Sequence, residues 1–158
     1  MRLKPEQLSD HLDQGLAPVY LVSGDEPLLA QEAADAIRTT ARARGYTERE
    51  LFHADAGFDW QTLLNEASAL SLFAERKILE VRLDSGKPGA EGSRALETYC
   101  ARPPEDNLLL VITTKQDSGG QRSKWVKALE EAGVMIQVWP VDAARMPRWI
   151  ARRLNNQG

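Results

Sequence analysis

The sequence predicts an α/β fold in which helices flank a five-stranded, mostly parallel sheet. Five short apolar stretches with strand-forming residues alternate with helical patterns along the chain, which is the order expected for strands joined by right-handed helical crossovers. The most apolar stretch, residues 108–112, is a continuous run bounded by turn signals, as in a strand buried at the centre of a parallel sheet. A length of 158 residues suits one globular domain with a substantial core.

The first two strands and the helices beside them have clear start and stop signals. Pro5 can open a short helix that Gly15 ends, and the apolar residues 19–23 follow as a strand. A long helix then opens at Pro27, and residues 51–54 are predicted to form the second strand. The long helix carries an apolar stripe made of Leu29, Ala33 and Ile37.

The third strand, residues 77–83, alternates apolar and polar side chains. Because Glu80 and Arg82 stand between apolar neighbours, we expect one wetter face and a position near the edge of the sheet. Residues 84–92 are rich in Gly and Pro and are predicted to form a loop. A helix over residues 93–102 then runs up to two prolines.

The last part of the chain continues the alternation. After the central strand, a helix buries an apolar face and ends at Gly133. Residues 134–139 are predicted to form the fifth strand, and Pro147 can open a final helix. The buried face of the helix before Gly133 consists of Trp125, Val126 and Leu129.

Composition excludes several classes of protein. Twenty Lys and Arg against 23 Asp and Glu give a net charge of −3, so no overall basic field would gather nucleic acid. No apolar run approaches the roughly 20 residues that span a bilayer, and no secretory signal precedes the domain. Cys100 is the only cysteine, which excludes an intrachain disulfide and fits a reducing compartment. We therefore expect a cytoplasmic protein without a membrane segment.

The helix that follows Asp59, a good N-cap, changes its pattern at its far end. On a helical wheel with Trp60 at zero, its apolar residues lie within about 60° on either side, but Leu72 falls near 120° and Phe73 near 220°. Ser71 falls near 20°, on the buried side. Either the helix ends near Leu70, or two large apolar side chains are offered to something outside; the pattern alone leaves both interpretations open. The early stripe is Trp60, Leu63, Leu64 and Ala67.

A phosphate-binding loop is expected after the first strand of such a fold, where backbone N–H groups converge on a helix N-terminus. Gly24 is suitably placed, but a Walker A loop would need Gly, Lys and Ser or Thr at residues 29–31, which are Leu, Ala and Gln. Asp25 and Glu26 add negative charge at the turn. The architecture is of nucleotide-binding type, and we expect its site to be absent and no cofactor to be bound.

Other candidate sites are incomplete. Lys87 follows a Gly, but Pro88 replaces the Ser or Thr of a Walker loop. Residues 114–117, Thr-Lys-Gln-Asp, resemble a guanine-reading segment but lack a phosphate loop. His53 and Asp55 share a strand face without a third metal ligand of suitable spacing.

A lone cysteine and a basic cluster are each interpreted as structural features rather than as sites. Cys100 lies in a predicted helix without an evident His partner, so we interpret it as a small buried apolar residue. A basic cluster formed by Arg145, Arg148, Arg152 and Arg153 could meet a phosphate backbone, but solvated charge near a helix end is the preferred interpretation.

The order of several short motifs identifies a resemblance. Residues 20–29, then Asp59-Trp60, then residues 70–74 before a strand, and finally residues 146–150 together resemble the delta subunit of the bacterial DNA polymerase III clamp loader, over essentially the whole chain. The resemblance implies an AAA+-like fold without a functional P-loop for residues 1–140. It implies that residues 141–158 are a linker and the truncated start of a second, lid-like domain.

The resemblance also implies a function and its residues. A delta subunit acts as the wrench of the loader: its exposed Leu-Phe pair enters a pocket on the beta sliding clamp and helps open the ring. Carried over to this chain, the pair is Leu72 and Phe73, with Leu70 and Ser71 completing the motif. Ser68 stands where clamp-binding peptides often have Gln, so amide-type hydrogen bonds cannot form there.

The expected partners follow from the same resemblance. They are the beta clamp, the other loader subunits (delta prime and gamma/tau) and, through the assembled loader, DNA. No intrinsic activity is expected, and the chain would be a subunit of a DNA-directed DNA polymerase holoenzyme. The alternative, from the residues alone, is a Rossmann-like nucleotide-binding or enzymatic domain that uses the turn at residues 23–28 or the loop at residues 84–92.

Overall fold

The computed structural model describes residues 1–24, 27–54, 57–68, 76–83, 87–104, 106–113 and 123–138. Within these ranges, helices cover both faces of one parallel sheet of six strands. The strands are β1 (Arg2–Leu3), β2 (Val19–Gly24), β3 (Tyr46–His53), β4 (Arg76–Leu83), β5 (Asn107–Thr113) and β6 (Val134–Val138). The helices are α1 (Leu8–Gln14), which follows a 3₁₀ turn at Pro5–Gln7, and α2 (Pro27–Ala43), α3 (Trp60–Ser68), α4 (Gly89–Ala101) and α5 (Lys124–Ala132).

The strand order is β1-β6-β2-β5-β4-β3, and each neighbouring pair is parallel. The predicted α/β class is confirmed, and β5, the most apolar strand, lies in the interior of the sheet as expected. The described sheet has one strand more than the five predicted. The additional strand is β1, which pairs Arg2 with Met135 and Leu3 with Ile136. Two residues at the start of a chain offer no periodicity from which a strand could be predicted.

The sheet separates two apolar layers. On one face, α3, α4 and α5 pack over inward side chains such as Leu79, Val81 and Leu109. On the other face, α1 and α2 pack over side chains such as Tyr20 and Leu110. The predicted stripe of α2 is confirmed by the burial of Leu29, Ala33 and Ile37.

Two predicted boundaries were wrong. β3 begins at Tyr46 rather than at residue 51, because this edge strand is mostly polar and exposed and therefore lacks the apolar signature that was sought. The loop predicted for residues 84–92 is shorter, since α4 begins at Gly89. Gly92 belongs to that helix, where a Cβ atom would come within 2.6 Å of the Trp60 ring. This glycine therefore marks close helix packing rather than a turn.

The prediction of a wetter face on β4 was wrong at Glu80. β4 is second from the edge, and Glu80 is 0% exposed. Its carboxylate accepts a 2.7 Å hydrogen bond from Arg38 Nη1 on α2, so a charged residue in an alternating pattern lies inside because it has a buried partner. Arg82, by contrast, keeps 40% of its side chain exposed.

Predictions for the final segment lie outside the described residues. These include Trp139 of the fifth predicted strand, the helix opening at Pro147 and the second-domain segment 141–158. In the part of the chain that is described, no helix is long and apolar enough to cross a membrane.

Candidate functional site

The candidate site is the segment that joins α3 to β4. The four residues predicted to meet a partner, Leu70, Ser71, Leu72 and Phe73, lie outside the described residues. The structure does describe the two elements from which the segment departs, ending at Ser68 and resuming at Arg76.

α3 begins as the sequence predicts. The Asp59 carboxylate accepts a 3.0 Å hydrogen bond from the backbone N–H of Gln61, which confirms Asp59 as the N-cap. Trp60, Leu63 and Ala67 are buried, with exposed fractions of 6%, 0% and 7%. The inward stripe of α3 thus points as predicted, toward the sheet and α4.

The C-terminal end of α3 is tied down by side chains. A helix leaves its last four carbonyl groups without partners inside the helix. Here Lys77 Nζ donates to the Glu66 carbonyl at 2.7 Å, and Asn107 Nδ2 donates to the Ala67 carbonyl at 2.7 Å. Ser68 Oγ adds a 3.2 Å hydrogen bond to the Asn65 carbonyl. Three consecutive carbonyl groups are thereby satisfied just before the candidate segment.

These contacts connect α3 to the start of two strands. Lys77 is the second residue of β4 and Asn107 is the first of β5, and both are buried, at 4% and 5% exposed. Lys77 Nζ also lies 3.0 Å from Glu66 Oε1, and a positive charge at a helix C-terminus interacts favourably with the helix dipole. The point at which the chain leaves α3 is consequently fixed relative to the sheet.

Sequence reasoning missed Lys77 and Asn107, although one signal could have found Lys77. It has the same strand parity as Leu79, Val81 and Leu83, all of which face the core. A Lys in register with three inward apolar residues predicts a buried ammonium group that needs a partner. Nothing comparable distinguishes Asn107, because the terminal residue of a strand is commonly polar.

The start of β4, which follows the candidate segment, and the end of β2, which precedes the nucleotide-type turn, lie at opposite ends of the sheet. All described strands run the same way, residues 69–75 lead into the beginning of β4, and residues 25–26 follow the end of β2. The carboxyl ends of parallel strands are where nucleotide sites of such folds occur. The start of β4, at Arg76, is therefore at the other end.

At the nucleotide-type position, Gly24 serves the packing of two strands. It pairs with Val138 of β6, and a Cβ atom there would come within 2.1 Å of the Val138 carbonyl oxygen. Leu29 and Ala30, which stand where a Walker loop needs Gly and Lys, are 8% and 7% exposed in the core under the sheet. Asp25 and Glu26 lie outside the described residues.

The remaining candidates are placed as follows. Lys87 and His53 are exposed, while Asp55, residues 114–117 and residues 145–153 lie outside the described ranges. Among the residues that are described, no group of three His, Cys, Asp or Glu side chains could hold a metal ion. Cys100 is half-buried against the core, and burial raises the pKa of its thiol to about 12. The thiol therefore lacks the lowered pKa of a nucleophilic cysteine.

Comparison with known proteins agrees with this architecture. A sequence model of the family described as DNA polymerase III, delta subunit, matches residues 20–138. The DNA polymerase III subunit delta of Escherichia coli is 36% identical over 153 residues, and that of Haemophilus influenzae is 31% identical over 160 residues. These matches cover 97% and 99% of this chain but 45% and 46% of the relatives, so the chain spans about half the length of the curated relatives it matches.

Two solved structures share the fold of this chain. The Bacillus subtilis DNA clamp loader delta protein superposes with a TM-score of 0.72 at 20% identity, over 92% of this chain and 45% of that one. A DNA polymerase III gamma subunit-related protein from Thermotoga maritima superposes with a TM-score of 0.55 at 13% identity, over 89% of this chain and 47% of the other. The match of the family model to most of the sequence shows that this chain belongs to the DNA polymerase III delta-subunit family.

Proposed function

We propose that this chain is the part of a clamp-loader delta subunit that binds the beta sliding clamp through Leu72 and Phe73, with Leu70 and Ser71 completing the contact. The observation that carries the proposal is family membership over residues 20–138, a range that includes the Leu-Ser-Leu-Phe sequence at residues 70–73. The tethered end of α3 supports it, because a contact segment that leaves a fixed point loses less conformational entropy on binding.

The direction of the α3 stripe gives further support. Its buried residues face the sheet, and a continuation of the same helical wheel would put positions 72 and 73 at about 120° and 220° from that stripe. Each large apolar side chain placed in a pocket contributes about 1.5 to 3 kcal/mol. Two such anchors can dominate a small interface.

We assign ring opening to this contact only in combination with the rest of a loader. A ligand shifts an equilibrium solely by its differential affinity for the two states, so binding must favour the opened form of the clamp. The other expected partners are the delta prime and gamma/tau subunits, and DNA is met through the assembled loader in the cytoplasm. In this role the chain is a non-catalytic subunit of the polymerase holoenzyme.

The proposal includes no ATP hydrolysis by this chain. Buried Leu29 and Ala30 stand where the phosphate loop needs Gly and Lys, and the Val138 backbone fills the space beside Gly24. Equilibrium dialysis with labelled ATP and magnesium tests this part, because saturable micromolar binding would contradict it. That result would leave the clamp contact untouched.

Calorimetry with purified beta clamp tests the contact itself. The 158-residue chain should bind, and the Leu72→Ala/Phe73→Ala double variant should lose binding while its circular dichroism and melting temperature persist. Leu28→Ala provides a matched control, because it also truncates a leucine and Leu28 is 45% exposed on α2. This variant should bind the clamp as the unchanged chain does. If the double variant instead melts at a much lower temperature, because each core truncation lowers the free energy of unfolding by roughly 2 to 5 kcal/mol, the pair is structural and the assignment fails.

A further inference from the structure

A second surface lies on the α2 side of the sheet, around Glu80. In the register of the two strands, Leu51 of β3 is beside Glu80 and His53 is beside Arg82. Arg49 is the next residue along that face of β3, and both Arg49 and Arg82 contact Glu80. We call Arg49, Leu51, His53 and Arg82 the arginine strip. α2 reaches this region through Arg38, which contacts Glu80.

The strip is open to solvent although Glu80 beneath it is not. Leu51 is 41% exposed and His53 is also exposed. The side chains of Arg49 and Arg82 are each 40% exposed, whereas that of Glu80 is 0% exposed. A large exposed apolar side chain thus lies on the same sheet face as two arginine side chains that are each partly exposed.

Glu80 holds the guanidinium groups in place. Its Oε1 accepts from Arg38 Nη1 at 2.7 Å and from Arg49 Nε at 3.1 Å, and its Oε2 accepts from Arg82 Nε at 3.0 Å. Burial by itself would raise the pKa of Glu80, but the hydrogen bonds and charges of Arg38, then of Arg82 and Arg49, keep it below its usual value. The carboxylate therefore stays ionised and orients its neighbours.

Among the described residues, the charged side chains that pair around Glu80 have a positive sum; Asp55 and Asp84, which follow β3 and β4 in the sequence, lie outside those residues. Arg38, Arg49 and Arg82 carry three positive charges against the two negative charges of Glu80 and Asp35, the latter also paired with Arg38. The sum is +1 in a chain whose net charge is −3. A guanidinium has five N–H donors in a planar fork, so Arg49 and Arg82 each have more donors than their bonds to Glu80 use, and guanidinium groups pair well with carboxylates.

We propose that the arginine strip is a docking surface for an acidic segment of a protein partner, in which carboxylates meet Arg49 and Arg82 and an apolar side chain covers Leu51. Charge complementarity selects an anionic occupant. The exposed Leu51 on the same face as the arginines selects a peptide over a nucleic-acid backbone, because a phosphodiester chain offers nothing apolar to cover it. The surface lies on the opposite face of the sheet from α3, whose described residues end at Ser68.

Fluorescence anisotropy with defined probes tests the proposal on the whole 158-residue chain. The probes are a labelled ten-residue peptide of alternating Asp and Leu, its counterpart with Lys in place of Asp, and a labelled oligothymidylate of 15 nucleotides. The Asp peptide should bind saturably and lose affinity as salt rises, and the other two should bind at least tenfold more weakly. Absence of saturable binding by the Asp peptide, or equally tight binding of the oligonucleotide, overturns the proposal.

Variants at exposed positions locate the binding without disturbing Glu80. Leu51→Glu and His53→Glu each place a negative charge in the strip and should weaken binding of the Asp peptide at least tenfold. Gln61→Glu adds the same charge on α3, across the sheet, and should bind as the unchanged chain does. Melting temperatures confirm folding of each variant, and retention of full affinity by a folded strip variant refutes the assignment.

Discussion

Replacing Lys77 by Met removes the buried donor that ends α3. Nζ lies 2.7 Å from the Glu66 carbonyl oxygen and 3.0 Å from Glu66 Oε1. A hydrogen bond to a charged group contributes about 1.5 to 3 kcal/mol, and the pair with the partly exposed Glu66 carboxylate adds about 1 kcal/mol or less. Met also relieves the cost of burying an ammonium group, which offsets part of the loss. The free energy of unfolding should fall by about 1 to 3 kcal/mol, which corresponds to a decrease of about 3 to 9 °C in melting temperature.

Thermal and urea unfolding measure this effect, with Lys127→Met as the matched control. Lys127 is exposed on α5, so its replacement should change the free energy of unfolding by less than about 0.5 kcal/mol. Asn107→Ala removes the neighbouring 2.7 Å bond to the Ala67 carbonyl and should couple with Lys77→Met, since both act on one helix end. A Lys77→Met variant as stable as the unchanged chain would refute the reasoning, because desolvation would then cancel the cap.

Three more predictions concern buried groups. The pKa of Glu80 is lowered in the folded state, so its contribution to stability is present above about pH 5 and is lost as pH falls through the folded-state pKa. Glu80→Gln should lower the free energy of unfolding by about 3 to 5 kcal/mol near neutrality and make it depend less steeply on pH in the acid range, as measured by urea titrations. An unchanged pH dependence would contradict this. Cys100, whose thiol pKa is raised to about 12, should react with Ellman's reagent far more slowly than a free thiol until urea unfolds the chain, whereas rapid labelling of the folded state would be the opposing result. Gly24→Ala should lower stability by about 1 to 3 kcal/mol through overpacking against Val138, and a melting temperature equal to that of the unchanged chain would show that the strands can separate without cost.

Much of the fold followed from periodicity because its core elements are strongly apolar. The run at β5, the stripe of α2 and the Asp59 cap each depend on a few neighbouring residues, and local patterns contain that information. The bounds of β3 and the presence of β1 depend on pairing with distant strands. A polar edge strand and a two-residue strand are stabilised by a partner that sequence neighbours do not reveal.

The location of the candidate site remains a prediction, and the residues that support it were not predicted. The helical wheel singled out Leu72 and Phe73 as off the stripe, and the resemblance gave them a role that remains a prediction. The interactions of Lys77 and Asn107 with α3 join residues 11 and 40 positions apart, and no spacing rule covers such pairs. Glu80 was misplaced for the same reason, since its buried partner Arg38 is 42 residues away.

The parallel sheet has a consequence for how relatives of this chain can diverge. Connections that precede strands meet at one end of the sheet, and connections that follow strands meet at the other. An insertion or deletion within residues 69–75 therefore alters the connection that precedes β4, which belongs to the first end. The paired ends of β2 and β6 belong to the second end and are not altered. On the proposed role of residues 70–73, grafting a foreign recognition sequence between Ser68 and Arg76 should change the partner of the domain without redesign of its sheet.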